Sequence, residues 1–300
     1  MAIAFHAPCL TDRDAVRNAA ELSHAKENDA AFASIFLLRH KYSTCVAFEN
    51  NAFYRFYGKG VRAGCFGYPL GAVDLLRDIP LMREKAAEWH QPFKMGLLTK
   101  EMCDALSEAY PEQFRFLPAD GYTEYLYLRE NLANLSGSRY HGKRNHIAQF
   151  RRDYPTYAIQ PLSAENADFA VKIAKDWLMA RENPLDISLQ GEFACIQEAA
   201  QHFAELGLSG LLLYADEKPI GMTIVSEISE GIADIHFEKV IAGYPHAWPV
   251  VANEMAKCLP NALYINREED LGEVGMRTSK ASYHPDLTQE KFFAEWIEKE

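Results

Sequence analysis

The sequence lacks the short patterns that would assign it to a common catalytic class. It contains no G-x-S-x-G turn of serine hydrolases and no H-E-x-x-H helix of zinc proteases. The glycine-rich stretch at residues 58–64 matches neither the dinucleotide-binding pattern nor the P-loop pattern, so we interpret it as a loop. Serine hydrolysis, zinc proteolysis and nucleotide binding therefore have no support from these motifs.

Basic residues are also in the minority. The 31 lysines and arginines are outnumbered by 42 aspartates and glutamates, which gives a formal net charge of −11. Because broad nucleic-acid surfaces depend on many cationic contacts to phosphate, this balance argues against one, although it leaves room for a local basic site. The six cysteines have no C-x-x-C pair, and neither they nor the ten dispersed histidines show metal-ligand spacing. We therefore predict no metal site.

Long apolar runs are absent as well. The longest fall far short of the roughly 20 residues that a membrane-spanning helix requires. Scattered cysteines in a chain of this size are more typical of a reducing cytosol than of a disulfide-stapled secreted domain. We therefore expect a soluble cytoplasmic protein with no membrane span.

What the sequence does contain is a repeated order of secondary structure. At 300 residues the chain is long enough for two domains of roughly 150 residues each. Both halves read as two helices, a hairpin, a third strand, a helix, a strand and a helix. Thr99 and Ser163 are predicted N-caps. We predict an α/β (α+β) fold in two domains, 1–153 and 154–300, with a basic linking helix at 138–152.

The most informative strand is predicted at residues 231–240. Side chains alternate faces along a strand, so Asp234, His236 and Glu238 should point to the same side. An interior strand of an α/β sheet is normally apolar on both faces, so three ionisable groups on one face indicate a cleft. Glu238 or His236 is our candidate catalytic base, with Asp234 contacting substrate. An edge strand facing water, or an internal hydrogen-bond network, would explain the same pattern.

A neighbouring strand carries a similar polar face, formed by Tyr264, Asn266 and Glu268. Two glycines then lead into a helix predicted at 272–281, whose free N–H groups could bind an anion. Arg277, Lys280 and Tyr283 lie near that helix in the sequence and are candidate substrate-binding residues. A solvated amphipathic helix would account for them equally well.

The basic linking helix is the third candidate site. Lys143, Arg144 and Asn145 form a dense set of hydrogen-bond donors that suits phosphate or carboxylate. The acidic remainder of the chain could instead neutralise this helix through internal ion pairs. Both interpretations remain open from the sequence.

Several of these segments carry a family resemblance. Residues 124–130 (EYLYLRE) and 135–146 (LSGSRYHGKRNH) resemble a signature of uncharacterised bacterial proteins grouped with the C-terminal domain of phosphatidylglycerol lysyltransferases. The segments 236–239 (HFEK), 264–272 (YINREEDLG) and 282–285 (SYHP) resemble the same group. The likeness runs from about residue 4 to the C-terminal region.

This resemblance implies two tandem GNAT-like domains, each a mixed central sheet flanked by helices, with the active cleft in the second. It implies transfer of an aminoacyl group from aminoacyl-tRNA to an amine or hydroxyl acceptor, with Lys143 and Arg144 meeting phosphate or carboxylate. No cofactor would be required beyond the co-substrate, which is aminoacyl-tRNA or acyl-CoA. The expected partners are a small-molecule or peptide acceptor and the acceptor end of tRNA.

Two alternatives stay open beside aminoacyl transfer. One is an acetyl-CoA-dependent N-acetyltransferase, although the loop at 241–246 lacks the R/Q-x-x-G-x-G/A phosphate cradle of those enzymes and contains Pro245. The other is a non-catalytic GNAT-like module that retains the cleft as a ligand pocket.

Overall fold

A computed structural model describes residues 3–298, and the chain divides into two compact units. Unit 1 comprises residues 1–125, 269–278 and 287–300, and unit 2 comprises residues 126–268 and 279–286. The chain thus passes between the units after residues 125, 268, 278 and 286, whereas the sequence analysis placed its domain boundary after residue 153. Long-range strand pairing of residues 292–296, which periodicity does not reveal, brings the C-terminal end of the chain back into unit 1.

Unit 1 is built on a mixed sheet with the strand order β1-β2-β3-β5-β14-β6, and β4 pairs with β2. Its strands are β1 (Thr44–Glu49), β2 (Ala52–Tyr57), β3 (Cys65–Phe66), β4 (Leu70–Gly71), β5 (Lys94–Leu98), β6 (Phe114–Pro118) and β14 (Phe292–Trp296). Its helices are α1 (Arg13–Leu22), α2 (Phe32–Leu37), α3 (Arg39–Tyr42), α4 (Leu75–Glu88) and α5 (Lys100–Ala109). Buried apolar side chains from β1, β2, β5, α4 and α5 form its core.

The other sheet has the strand order β13-β7-β12-β11-β10-β9-β8. Its strands are β7 (Glu124–Leu128), β8 (Ala158–Leu162), β9 (Ser209–Ala215), β10 (Lys218–Ser229), β11 (Ile232–Val240), β12 (Tyr264–Glu269) and β13 (Leu287–Gln289). The accompanying helices are α6 (Arg129–Asn134), α7 (His141–Asp153), α8 (Asp168–Met179), α9 (Ile187–Gln201), α10 (Ala247–Cys258) and α11 (Val274–Ala281). The prediction of mixed sheets flanked by helices is confirmed.

The predicted helix caps had different outcomes. Thr99 does cap α5, because its side chain accepts a hydrogen bond from the Met102 N–H. Ser163 does not cap α8, which begins only at Asp168. The reason is local: Asn166 accepts from the Ser163 N–H at 2.8 Å and donates to Pro161, forming a turn ahead of the helix.

Four strands were missed from the sequence, namely β4, β8, β13 and β14. The strand β14 is the most consequential, because it inserts between β5 and β6 and pairs antiparallel with both. Its pattern of apolar residues is too short to separate from a helical turn by periodicity. Only pairing with residues more than 170 positions away identifies it as a strand.

Candidate functional site

A β-bulge in β11 separates the three polar residues that the sequence analysis placed on one face. In the antiparallel pairing of β11 with β10, Ile235 is opposite Val225 and Phe237 is opposite Ile224, so His236 is an extra residue. Asp234 is therefore opposite Ser226 while Glu238 is opposite Thr223. Ser226 and Thr223 are three residues apart and face opposite sides of the sheet. The prediction that Glu238 shares a face with Asp234 is wrong.

Asp234 and His236 instead belong to a sealed hydrogen-bond network. The Ser226 hydroxyl lies 2.8 Å from Nε2 of His236, whose Nδ1 lies 3.4 Å from Asp234. Burial lowers the pKa of His236 to about 4, so the imidazole is neutral at pH 7. The order Ser, His, Asp matches a nucleophile, a base and an orienting acid. However, each of the three residues is at least nine-tenths buried, so a substrate carbonyl cannot reach the hydroxyl without local opening.

The same network could hold a cation. Glu268 lies 3.7 Å from Nδ1 of His236, and Asp234, His236 and Glu268 each offer one ligand atom within a span of 4.8 Å. Imidazole and carboxylate together suit several divalent transition metals. Burial of Asp234 and His236 means that an ion would have to be captured as the unit folds.

Glu238 and Arg267 form a second cluster where β11 and β12 separate. The parallel pairing of these strands covers three residue pairs and ends at Asp234 and Asn266. Beyond that point Arg267 donates to Glu238 at 3.0 Å, and both side chains are about nine-tenths buried. We call Glu238, Arg267, Lys143 and Tyr283 the fork cluster.

Lys143 reaches the fork cluster from α7. Its Nζ donates to the Ser282 hydroxyl at 2.7 Å and lies 3.7 Å from the centre of the Tyr283 ring. Burial and the positive charge of Arg267 lower the pKa of Lys143 to about 8, against the opposing effect of Glu238. Burial raises the pKa of Tyr283 to about 12, so its phenol keeps its proton. The fork cluster therefore holds an amine that is partly neutral near physiological pH.

Three buried polar atoms at or opposite this cluster have no hydrogen-bond partner among residues 3–298. They are Oε2 of Glu238, Nη1 of Arg267 and the hydroxyl of Thr223, which is directly opposite Glu238. Leaving a buried donor or acceptor unsatisfied costs about 1–3 kcal/mol. Such atoms therefore favour a water molecule or a ligand at this place.

A groove opens at the end of the same strand, starting two residues beyond Glu238. It has a volume of about 520 Å³ and lies between the end of α8, the loop 241–245 and the start of α10. Trp177, Trp248 and Tyr244 supply aromatic surface, and Arg181 supplies a cation. At about 3.3 Å per residue, the groove begins about 7 Å along β11 from Glu238.

The remaining predicted site residues do not join the fork cluster. Arg144 donates to the carbonyls of Leu135 and Gly137, and Asn145 bonds His141 one turn earlier on α7. Both contacts are local to α7 and the turn before it. The observed partners of these two residues are groups of unit 2, and their anion-binding role stays a prediction.

The predicted residues of β12 and α11 also have local partners. Asn266 is fully buried and accepts from the Glu268 N–H, while Tyr264 is the half-buried first residue of β12. Lys280 donates to the carbonyls of Arg267 and Glu268. Arg277 makes a bidentate pair with Asp270, which holds the pKa of that carboxyl at about 2.

Sequence reasoning missed Arg267, Thr223 and the groove residues. Alternation along β12 places Arg267 on the face opposite Glu268, and this was the available signal for Arg267 once the bulge in β11 is known. For the groove, the signal was Trp177 and Trp248, since the chain has only four tryptophans. Nothing in the sequence around either tryptophan indicates that the two side chains lie on the same surface.

Comparison with known proteins gives the context of this site. The family described as phosphatidylglycerol lysyltransferase, C-terminal, matches residues 20–295. No curated protein matches the chain. Within residues 3–298, no helix combines the length and apolar character needed to cross a membrane.

The solved structures agree with the predicted fold. A conserved protein of unknown function from Bacteroides thetaiotaomicron is 29% identical with a TM-score of 0.94, over 98% of this chain and 100% of that one. The C-terminal domain of a putative lysylphosphatidylglycerol synthetase from Agrobacterium fabrum is 14% identical with a TM-score of 0.65, over 94% and 91% of the two chains.

A tandem GNAT protein from the clavulanic acid biosynthesis pathway is 12% identical with a TM-score of 0.51, covering 99% of both chains. These likenesses, together with the two mixed sheets, confirm the tandem GNAT-like fold that the sequence resemblance implied. The chain belongs to the family of phosphatidylglycerol lysyltransferase C-terminal domains.

Proposed function

We propose that this protein transfers an aminoacyl group from aminoacyl-tRNA to an amine or hydroxyl acceptor at the fork cluster. The coarser activity, acyl or aminoacyl transfer, is that of the family to which the chain belongs. The observation that carries the finer proposal is the set of unsatisfied atoms on Glu238, Arg267 and Thr223. A reactant carrying both a donor and a carbonyl group would satisfy them. Because Glu238 and Arg267 are about nine-tenths buried, its entry requires local opening from the side of the groove.

The chemistry assigns a separate task to each side chain. Glu238 Oε2 takes the proton of the acceptor amine or hydroxyl as its nitrogen or oxygen attacks the ester carbonyl of the donor. Arg267 Nη1 donates to the carbonyl oxygen as negative charge develops there. The new C–N or C–O bond forms, the ester C–O bond breaks, and the departing ribose oxygen takes a proton. Lys143, whose pKa of about 8 permits proton exchange, is well suited to supply it.

The groove is proposed to hold the donor. Its aromatic walls suit a nucleotide base, and Arg181 suits a phosphate. The same features support a second candidate, an acyl-CoA donor, because CoA also carries a base and phosphates. The start of α10 borders the groove, although Pro245 removes one backbone donor there.

His236 receives a supporting task in this proposal. Ser226 occupies Nε2 of His236 and Nδ1 faces Asp234, so neither ring nitrogen is available to an acceptor. We assign the catalytic base to Glu238 alone. Asp234, His236 and Glu268 position β11 and β12 where they separate.

The test is a transfer assay with two donors, labelled aminoacyl-tRNA and labelled acetyl-CoA, using wild type, Glu238→Gln and Ser226→Ala. Transfer from aminoacyl-tRNA that falls about 100-fold or more in Glu238→Gln, but stays near wild type in Ser226→Ala, supports the proposal. Transfer from acetyl-CoA alone selects the second candidate. Saturable binding of either donor without turnover selects a non-catalytic module, and equal activity of Glu238→Gln removes Glu238 from its role.

A further inference from the structure

The N-terminal segment of unit 1 gathers three metal-ligand side chains that the proposed transfer does not use. His6, Cys9 and Asp12 each offer one ligand atom, and these atoms lie within 4.8 Å of one another. Cys9 Sγ is 3.3 Å from Oδ2 of Asp12, and His6 Nε2 is 3.8 Å from Oδ1 of the same carboxylate. Nitrogen, sulfur and oxygen ligands of a tetrahedral zinc ion lie about 3.3–3.6 Å apart, given their usual bond lengths. The two distances to the Asp12 carboxylate are close to that spacing, and His6 and Cys9 lie within 4.8 Å of each other.

The backbone around these residues holds them in place. His6 exchanges backbone hydrogen bonds of 2.9 and 2.8 Å with Val46 of β1. Asp12 immediately precedes α1, and its carboxylate accepts from the Cys9 N–H at 2.8 Å. Each ligand position is thus anchored to regular structure or to another ligand, which reduces the entropy that metal binding would otherwise cost.

The His6 ring is oriented for coordination. Its Nδ1 lies 3.0 Å from the carbonyl oxygen of Ala7, and because a carbonyl can only accept, Nδ1 carries the proton. In the neutral imidazole, Nε2 then keeps a lone pair, which faces the Asp12 carboxylate. A second ring nitrogen bound to a backbone carbonyl is the usual outer-shell arrangement of metal-bound histidine.

We propose that His6, Cys9 and Asp12 bind a zinc ion. His6 Nε2 and a carboxylate oxygen of Asp12 face each other beside the Cys9 thiol. A cation between these atoms would stabilise the arrangement. Thiolate and imidazole select zinc or a similar transition metal over magnesium and calcium, which prefer oxygen ligands. On binding, the Cys9 thiol releases its proton to solvent and coordinates the ion as the thiolate.

The site is open on one side. His6 and Cys9 are exposed, whereas Asp12 is buried, so a water molecule can complete the tetrahedron from solvent. The ion would close the turn that follows Ile3 and Phe5. Ile3 is buried in the core of unit 1, and the Phe5 ring packs against Phe66 and Trp89. Metal binding would therefore fasten the N-terminal segment onto this core and raise the melting temperature.

The experiment uses the full chain after dialysis against a chelator, followed by titration with cobalt(II) and by zinc competition. Wild type should bind one equivalent of cobalt with the intense thiolate-to-cobalt absorption band that an oxygen-and-nitrogen site cannot produce. Cys9→Ser should lose this band, bind zinc at least about tenfold more weakly, and lose the zinc-dependent rise in melting temperature. Cys258→Ser, which alters the other exposed cysteine, is the matched control and should behave as wild type.

Three results would overturn the site: no charge-transfer band in wild type, a band that survives Cys9→Ser, or zinc affinity that is equal in both. Because Cys9 is exposed, its replacement by the isosteric serine leaves the core intact, and circular dichroism of the metal-free variant verifies folding. A further variant, His6→Ala, should keep the cobalt–thiolate band while weakening affinity. This separates loss of the imidazole from loss of the thiolate.

Discussion

Arg267 donates a 3.0 Å hydrogen bond to Glu238 across the point where β11 and β12 stop pairing. Both residues are about nine-tenths buried, so neither charge is well solvated. Each also keeps one polar atom without a partner among the described residues. A buried ion pair of this kind contributes little net stability, because desolvation offsets most of the attraction. We therefore interpret the Glu238–Arg267 pair as one that serves the proposed reaction rather than the stability of the fold.

The first prediction concerns the stability of this pair. Arg267→Met leaves Glu238 buried without its cation, so the free energy of unfolding should fall by about 3–5 kcal/mol. The double variant Glu238→Leu/Arg267→Met should recover most of that loss, because an apolar pair needs no solvation. Urea unfolding of both variants and of wild type measures the difference. A double variant no more stable than Arg267→Met would mean that the two side chains do not interact in solution.

The second prediction concerns the pH dependence of stability through His236. Burial lowers its pKa from 6.5 to about 4, so between these values the unfolded chain binds more protons than the folded chain. The contribution of the neutral His236 to the free energy of unfolding is fully present above about pH 6.5 and is lost as pH falls through 4. The shift corresponds to roughly 3 kcal/mol at 1.36 kcal/mol per pKa unit.

The measurement is the free energy of unfolding of wild type and His236→Asn between pH 4 and pH 7. The variant has no imidazole to titrate, so its stability should fall less steeply over this range. Parallel curves for the two proteins would show that His236 is not the group responsible.

The third prediction concerns Lys143, whose pKa of about 8 leaves on the order of a tenth of its amines neutral at pH 7. Labelling with an amine-reactive reagent, followed by peptide mass spectrometry, should give a midpoint for Lys143 near pH 8. Since Glu238 raises this pKa and Arg267 lowers it, Glu238→Gln should move the midpoint down and Arg267→Met should move it up. The exposed Lys172 on α8 provides the internal reference, and its profile should be the same in all three proteins.

The fourth prediction concerns the groove at the end of β11. Ala180 is exposed and lines it, so Ala180→Trp should fill part of the groove without disturbing a core. We expect the Km for the donor to rise at least about tenfold, the equivalent of 1.4 kcal/mol, with an unchanged melting temperature. Met179→Trp is the matched control, because Met179 is exposed but does not line the groove. Equal effects of both variants would place donor binding elsewhere.

Local patterns in the sequence were sufficient for much of the fold. Alternating periodicity located β11 to within one residue, because this strand buries apolar side chains at regular spacing. The resemblance carried by residues 124–146 and 264–272 indicated the tandem fold and the family. The sequence also predicted a strand that carries ionisable residues, and the structure has these residues on β11.

Only the tertiary structure decided which of those residues meet. One extra residue at His236 shifts the pleat, so Glu238 faces Thr223 and Arg267 while Asp234 and His236 face Ser226. Whether a strand bulges depends on its register with a partner strand, and alternation along one strand contains no such information. Likewise, Lys143 meets Tyr283 across 140 positions of sequence, because backbone pairing and packing, rather than local spacing, bring α7 to the segment after α11.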